Sequence, residues 1–434
     1  MQMSKWTGDF REVSRRPRLP ALAGVRIFAA LHIYFFHVKQ AHDSGLLSFS
    51  AISALPAPLA SLVGRGHVST GLFFQLSGFL LAYAYLDSSG RPKTTDWTFW
   101  RGRFVRLYPL YFLSLLLLVP APALLPFTAK HSTTAEVASG VLSSLTLTQA
   151  WFPAFALWWN APAWALSAFA AFYAIFPAFS RWTAGLGQRG LMGLVIALTL
   201  LSWVPAGAYM LLNPADDGWT ATSITLGGPW LMALRFNPLS WLPQFLAGVA
   251  LGRMFGMRVD RGKIEPGRRA GLWPSAGDAL ALGILCLLAF ARQVPYVPLR
   301  HGLLAPFSLV VINDLAHGRG LLARFLSWRG FGRLSEASFS LFALQMPAGV
   351  WFCVATLSSA TGTTAHLVAM IAWTLGLAVV WSELAQRPMI ERLRRGKRAS
   401  PGDKRLPVPG MAGQPLLHQT IAASSGSQTG ADIS

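Results

Sequence analysis

Long apolar runs, broken by short polar stretches, recur along the whole of this 434-residue chain. Ten can be delimited, near residues 20–38, 68–86, 104–125, 163–180, 190–212, 238–255, 275–291, 301–317, 335–357 and 364–385. A helix of about 20 apolar residues crosses a bilayer core, and these runs are of roughly that length, although several are short. In lipid every backbone group must find its partner internally, and runs rich in Leu, Ala and Phe achieve that only as helices. The pattern therefore predicts an all-α polytopic membrane bundle of about ten transmembrane helices.

The first run, LAGVRIFAALHIYFFHVKQ, is interrupted by Arg26 and His37, eleven residues apart. Eleven steps of about 100° fall within about 20° of three whole turns, with a rise of about 16.5 Å. Both side chains thus share one helical face. Ionisable groups in lipid are costly and face a cavity or a partner, which predicts a polar central cavity bounded by the first span and the arginines of the third. The plainer reading is that Arg26 anchors a helix end and His37 hydrogen-bonds a neighbour.

Composition supports the membrane reading: 53% of residues are hydrophobic and 12% charged, against about 25% charged in soluble domains. A net charge of +20 would suggest nucleic acid in a soluble protein. Here, of 37 Lys and Arg, 30 fall in segments on the side of the N-terminus, six on the other, and Arg26 lies inside the first span. That bias predicts a multi-pass protein of the inner (cytoplasmic) membrane with both termini cytoplasmic, and explains the charge without nucleic acid.

Residues 1–19 read as a basic cytoplasmic segment, 20–395 as the transmembrane domain, and 396–434, rich in Gly, Ser, Pro, Gln and Thr, as a disordered cytoplasmic tail. The first twenty residues show no apolar core followed by a small-residue cleavage site, so the spans themselves are expected to direct insertion. Cys286 and Cys353 fall in spans and are expected to be buried small hydrophobes, without disulfide or metal spacing. No metal is expected. The outward connections 39–67 and 126–162 are long enough to hold short interfacial helices. Trp151, Trp158, Trp159 and Trp164 form either a wall for a sugar ring or an interfacial belt.

Ser77-Gly78-Phe79 lies inside the second span, where glycine permits close helix approach. Arg103 and Arg106 are three apart, on one helical face at the cytoplasmic boundary. They either hold the phosphates of a cytosolic donor or follow the general basic bias of that side.

Taken in order, Arg26-x10-His37, LFFQLSGFLLAY, Arg103-x2-Arg106 with LYPLYFL, NAPAWALSAFAAFYAIFPAF, FNPLSWLPQFLAGVALGRMF, FGRLSEASFSLFALQMP and QRPMIERL resemble the acyltransferase-3 family of integral membrane O-acyltransferases. The likeness covers approximately residues 17–395 and looks like the family's stand-alone form. It implies transfer of an acyl group, commonly acetyl, from acyl-CoA to a hydroxyl of a carbohydrate, glycolipid or secondary metabolite. Acyl-CoA is then a co-substrate, and no cofactor is bound. By this likeness His37 matches the essential histidine, Arg26 its paired arginine, and Arg103 and Arg106 the basic pair near the donor.

The chemistry agrees with that assignment. An alcohol is a weak nucleophile at neutral pH, and an imidazole that takes its proton contributes roughly 10²–10⁴-fold. The tetrahedral oxygen needs a hydrogen-bond donor, for which Ser77, on the donor side, Asn160 or a backbone amide are candidates; Asn160 and Trp164 are placed on the acceptor side. Three departures stand against the family pattern. Phe169 replaces a carboxylate in Trp164-Ala165-Leu166-Ser167-Ala168-Phe169, Gln244 and Gln386 stand where Glu is usual, and Gln345 replaces a histidine. Glu383, three residues before Gln386, is the candidate for a relocated catalytic carboxylate, with Asp314 a second. The lost carboxylates leave open a non-catalytic transporter or scaffold on the same fold, and the intramembrane His and Arg a proton-coupled efflux transporter.

Overall fold

A computed structural model describes residues 16–120, 133–212, 228–266, 273–291, 294–356 and 361–395, the last with side chains to 392. The chain divides into two units, 1–392 and 393–434. All but the first three residues of the second lie outside the described residues, as does the expected tail at 396–434. The first unit is built of helices: α1 (Pro20–Asp43), α2 (Ser69–Tyr85), α3 (Asp96–Leu116), α4 (Trp164–Thr183), α5 (Gln188–Leu201), α6 (Pro238–Asp260), α7 (Ala276–Phe290), α8 (Ala305–His317), α9 (Arg329–Thr356) and α10 (Thr364–Trp381). Strand content among the described residues is slight: β1 (Ser48–Phe49) pairs in parallel with β2 (Thr361–Gly362). Six helical stretches, Pro20–Asp43, Ala57–Tyr85, Ala161–Thr183, Gln188–Leu212, Arg329–Thr356 and Thr364–Arg392, are long and apolar enough to cross a membrane, and the protein is a multi-pass membrane protein.

Local chemistry sets the helix ends. Pro20 and Pro238 occupy first turns, where a missing N–H costs nothing. Thr95 caps α3 through Thr98 N, and Ser275 with Asp278 forms a capping box on α7. The Asp278 carboxylate also accepts from the amides of Leu321 and Leu322 at 2.7 and 2.9 Å, tying a neighbouring helix start to α7. The connection 39–67 does hold short helices, Ser50–Ser53 and Ala57–Gly64.

Helix α6 is buried almost all round, from Pro238 to Met257, and packs most intimately on α2. Small residues make this possible. A Cβ on Gly78 would lie 2.2 Å from the Phe245 carbonyl oxygen, one on Gly248 2.0 Å from that of Gln75, and one on Gly252 2.3 Å from that of Phe79. The obstacle each time is backbone, so the close approach read from Ser77-Gly78-Phe79 is a glycine seam running down both helices. Gly248→Val is expected to cost about 3 kcal/mol, the upper end of overpacking. Thermal unfolding in detergent checks it, with Gly283→Val, which meets open space, as the control; equal losses would contradict the seam.

Two helix prolines show how freed carbonyls are recovered in lipid. Pro177 of α4 cannot donate to the Tyr173 carbonyl, which accepts instead from Trp100 Nε1 at 3.0 Å. Pro347 of α9 likewise frees the Ala343 carbonyl. Helix α1 lies against α2 and α9, and α10 packs on α9 and meets α1 through the Tyr34 hydroxyl, which donates to Thr374 Oγ1 at 3.4 Å, with most of its surface outward. Cys353 is half-buried, while Cys286 is exposed on the outer face of α7. The expectation of a buried Cys286 is thus corrected: its helix presents that face outward, and only one side of α7 meets the bundle.

Candidate active site

Arg26 and His37 stand on the single unbroken helix α1, and both are half-buried. His37 Nδ1 lies 2.9 Å from Gln345 Oε1 on α9. The Gln345 amide nitrogen donates to the Phe342 carbonyl at 2.9 Å, so its oxygen faces the imidazole as an acceptor. Nδ1 therefore carries the proton, and Nε2, without a hydrogen-bond partner among the described residues, keeps its lone pair. A neutral amide orients the ring but adds no negative charge to stabilise an imidazolium.

Arg26, about three turns away, lies 5.9 Å over the Phe73 ring and within electrostatic reach of Arg103, Arg106, Tyr173 and Glu336. Arg103 donates to Tyr85 Oη at 2.6 Å and sits over the rings of Tyr85, Phe99 and Tyr173, at 4.9, 5.9 and 5.8 Å. Its Nε is buried with no hydrogen-bond partner among the described residues. The structure thus gathers Arg26, Arg103 and Arg106 into one cationic group supported by aromatic faces. Three guanidinium groups so close repel one another unless an anion joins them. Ser77, half-buried, lies one turn from Phe73 on the same face of α2.

Glu383 stands in a π-helical turn, Ser382–Gln386, and is ion-paired with Arg387. Arg387 also binds Glu336 at 2.6 Å. Glu383 therefore belongs to the ionic group at the Arg26 end, whereas the partner of His37 is Gln345. Asp314 receives the Gly277 amide at 2.8 Å and so holds the start of α7. Gln386 accepts from Ser340 at 3.3 Å.

Between Arg26 and His37 lies an apolar cavity of about 20 Å³, about the size of one water. Ile33, Thr70, Phe73, Phe169 and Phe342 line it. Phe169, where a carboxylate was expected from the family pattern, is 6% exposed and packs on Phe73, Phe74, Phe172 and Tyr173. Phe169 is one of several aromatic side chains that make the lining of this cavity apolar.

Asn160 precedes a short turn into α4 and is 1% exposed. Its Nδ2 donates to Ser114 Oγ at 2.9 Å and to the Ala343 carbonyl at 3.2 Å. It thereby fills the carbonyl that Pro347 leaves open, next to Gln345. Both amide hydrogens are committed, and the buried Oδ1 has no hydrogen-bond partner among the described residues. Asn160→Leu is expected to cost about 1–3 kcal/mol, and less in a Pro347→Ala background, where the helix supplies the missing N–H. A double-mutant cycle of unfolding temperatures measures this; costs that simply add would contradict it.

Trp164 is 5% exposed and meets Phe236 edge to face and Trp241 at a tilt, with the Arg300 guanidinium 5.7 Å over its ring. It is part of the protein interior, neither an open wall nor a membrane belt. Arg235 and Arg300, which the charge count placed in outward connections, are 0% and 4% exposed. Sequence reasoning missed them because a short connection gives no period from which burial can be read.

A family model for an acyltransferase domain, Acyl_transf_3, matches residues 19–383. Acyltransferase MdmB of Streptomyces mycarofaciens is 30% identical over 257 residues, covering 56% of this chain and 59% of that protein. Protein 2 in the picA locus of Rhizobium radiobacter is 36% identical over 101 residues, 23% of this chain and 44% of that protein. The chain thus spans about three-fifths and under half the length of these relatives. No solved structure matches it. The family match runs from the start of α1 through the arginine group and Gln345 to the turn holding Glu383, so the chain belongs to the acyltransferase-3 family of membrane acyltransferases.

Proposed function

We propose that the protein moves an acyl group, acetyl in the simplest case, from acyl-CoA to a hydroxyl of a carbohydrate, glycolipid or secondary metabolite, with His37 as general base. The observation that carries this reading is the His37–Gln345 hydrogen bond, which leaves Nε2 bare in the interior of the bundle. In the reaction the acceptor oxygen attacks the thioester carbonyl as its proton passes to Nε2. The tetrahedral oxyanion then collapses, the C–S bond breaks, and the CoA thiolate takes the proton back from the imidazolium. The products are ester and free CoA.

Arg26, Arg103 and Arg106 are suited to the donor's phosphates, since guanidinium binds phosphate oxygens in pairs. The apolar lining between them and His37 suits the pantetheine arm and acyl group, and it must widen beyond its present size to admit them. Ser77 faces this route, and Asn160 and Trp164 flank the other end. With the N-terminus cytoplasmic and ten crossings of the inner membrane, the arginines face the cytosolic donor and His37 the side from which the acceptor enters.

Phe169 and the neutral Gln345 favour one second reading, a binding protein or transporter on the same fold without chemistry. Proteoliposomes given acetyl-labelled acetyl-CoA and an extract of the cell's glycolipids and metabolites separate the two. Label in an ester with release of free thiol supports transfer; bound but unmodified extract components and no thiol release support the second reading.

A further inference from the structure

A second basic group lies beside His37, apart from the arginine group at the other end of α1. His67 stands on a short turn before α2, Arg300 ends the short helix Tyr296–Arg300 with His301 next, and Arg235 lies in the last turn of the helix Pro229–Phe236. His67, Arg300 and His301 are 4%, 4% and 1% exposed. Aromatic rings enclose them. The Arg300 guanidinium lies 5.4 to 5.9 Å from the rings of Phe236, Trp241, Trp164 and Tyr296. The His67 ring is 5.4 Å from Phe36 and 4.8 Å from Tyr296, and His301 is 4.5 Å from Trp241.

His67, His301 and Arg300 lack acceptors that buried donors need. Among the described residues, neither ring nitrogen of His67 or of His301 has a hydrogen-bond partner, nor has Arg300 Nε. The Arg300 guanidinium reaches one carbonyl, that of Arg235, at 3.4 Å. Buried polar atoms are nearly always paired, and a cation in the membrane interior faces a partner or a ligand. The aromatic faces offset part of the charge but accept no directional N–H bonds of the usual strength. A ligand that satisfies one cation and the N–H of each imidazole has several oxygens and a negative charge.

We propose that Arg300, His301 and His67 form a buried oxyanion pocket, next to His37, that takes a phosphate or carboxylate. Phe36, edge to face with His67, is the residue before His37, and Arg300 lies within electrostatic reach of the His37 ring. On the proposed function, the oxyanion is carried by the acceptor and brings its hydroxyl to Nε2; a lipid headgroup phosphate offers the same chemistry.

The test is thermal unfolding of the full chain in detergent, in inorganic phosphate, acetate or chloride at matched ionic strength, and with short-chain phosphatidic acid. Phosphate or acetate is expected to raise the unfolding temperature by roughly 2–5 °C at saturation relative to chloride. In an Arg106→Gln background, which weakens anion binding at the arginine group, the rise is expected to persist, and it is expected to vanish when Arg300→Met or His301→Phe is added, so that either pocket variant alone decides if the other does not fold. A rise with the soluble anions assigns the pocket to an acceptor-borne group, and a rise with phosphatidic acid alone assigns it to a headgroup. No rise with any of the anions, or a rise unchanged in the pocket variants, would overturn the proposal. Because no turnover is read, absence of acyl transfer in the preceding experiment leaves this result standing, and the reverse also holds.

Discussion

His37→Ala lowers the rate of acyl transfer by roughly 10²–10⁴-fold, the worth of a positioned general base, while membrane level and unfolding temperature stay close to those of the wild type. The expectation of intact folding comes from the surroundings: His37 is half-buried and makes one hydrogen bond, to a glutamine whose amide nitrogen is separately anchored to Phe342. His37→Gln is the companion variant, since it restores a hydrogen bond toward Gln345 without a base of useful strength. If the role is proton transfer, both variants fall together. If the ring merely fills space, His37→Gln retains most of the activity. Label transfer from acetyl-CoA with parallel quantitation of protein reads the difference.

The next largest effect is expected at the cationic group. Arg106→Gln raises the KM for acyl-CoA about ten- to a hundred-fold, taking about 1.5–3 kcal/mol for hydrogen bonds to a charged group and tenfold per 1.4 kcal/mol. The turnover number changes far less, because the side chain sits at the opposite end of the α1 face from the imidazole. Arg106 is the cleaner site. Arg103 is bonded to Tyr85 and stacked among three rings, so its loss disturbs packing as well as charge. A fall in kcat with KM unchanged would place Arg106 outside donor binding.

The part of this architecture that depends on period and composition was legible in the amino-acid order. Helices lie within each of the apolar runs, and the eleven-residue interval does put Arg26 and His37 on one unbroken helix. The glycine at position 78 was legible for the same reason, since a small residue inside a span has few other uses. What pairs with what was not legible. Gln345 lies 308 residues from His37, and nothing local marks an amide, read as a departure from the family, as the group that sets the imidazole tautomer. Asn160 bonds a carbonyl freed by a proline on another helix, a relation visible only when the turn before α4 meets α9. For Glu383 the spacing from Gln386 was legible, and the pairing of its carboxylate with Arg387, one turn on, appears in the fold. The charge count assigned Arg300 to a membrane side without information on depth, so its burial among four aromatic rings emerged only from the fold.

The central claim is that Gln345 holds His37 with the proton on Nδ1 and Nε2 bare. Nitrogen-15 NMR of the protein labelled on histidine, with His37 assigned by its loss in His37→Gln, measures this at neutral pH. The account predicts a protonated Nδ1 and an unprotonated Nε2 for that ring, and a loss of this preference in Gln345→Leu. A His37 with its proton on Nε2, or on both nitrogens, in the wild-type protein would contradict it.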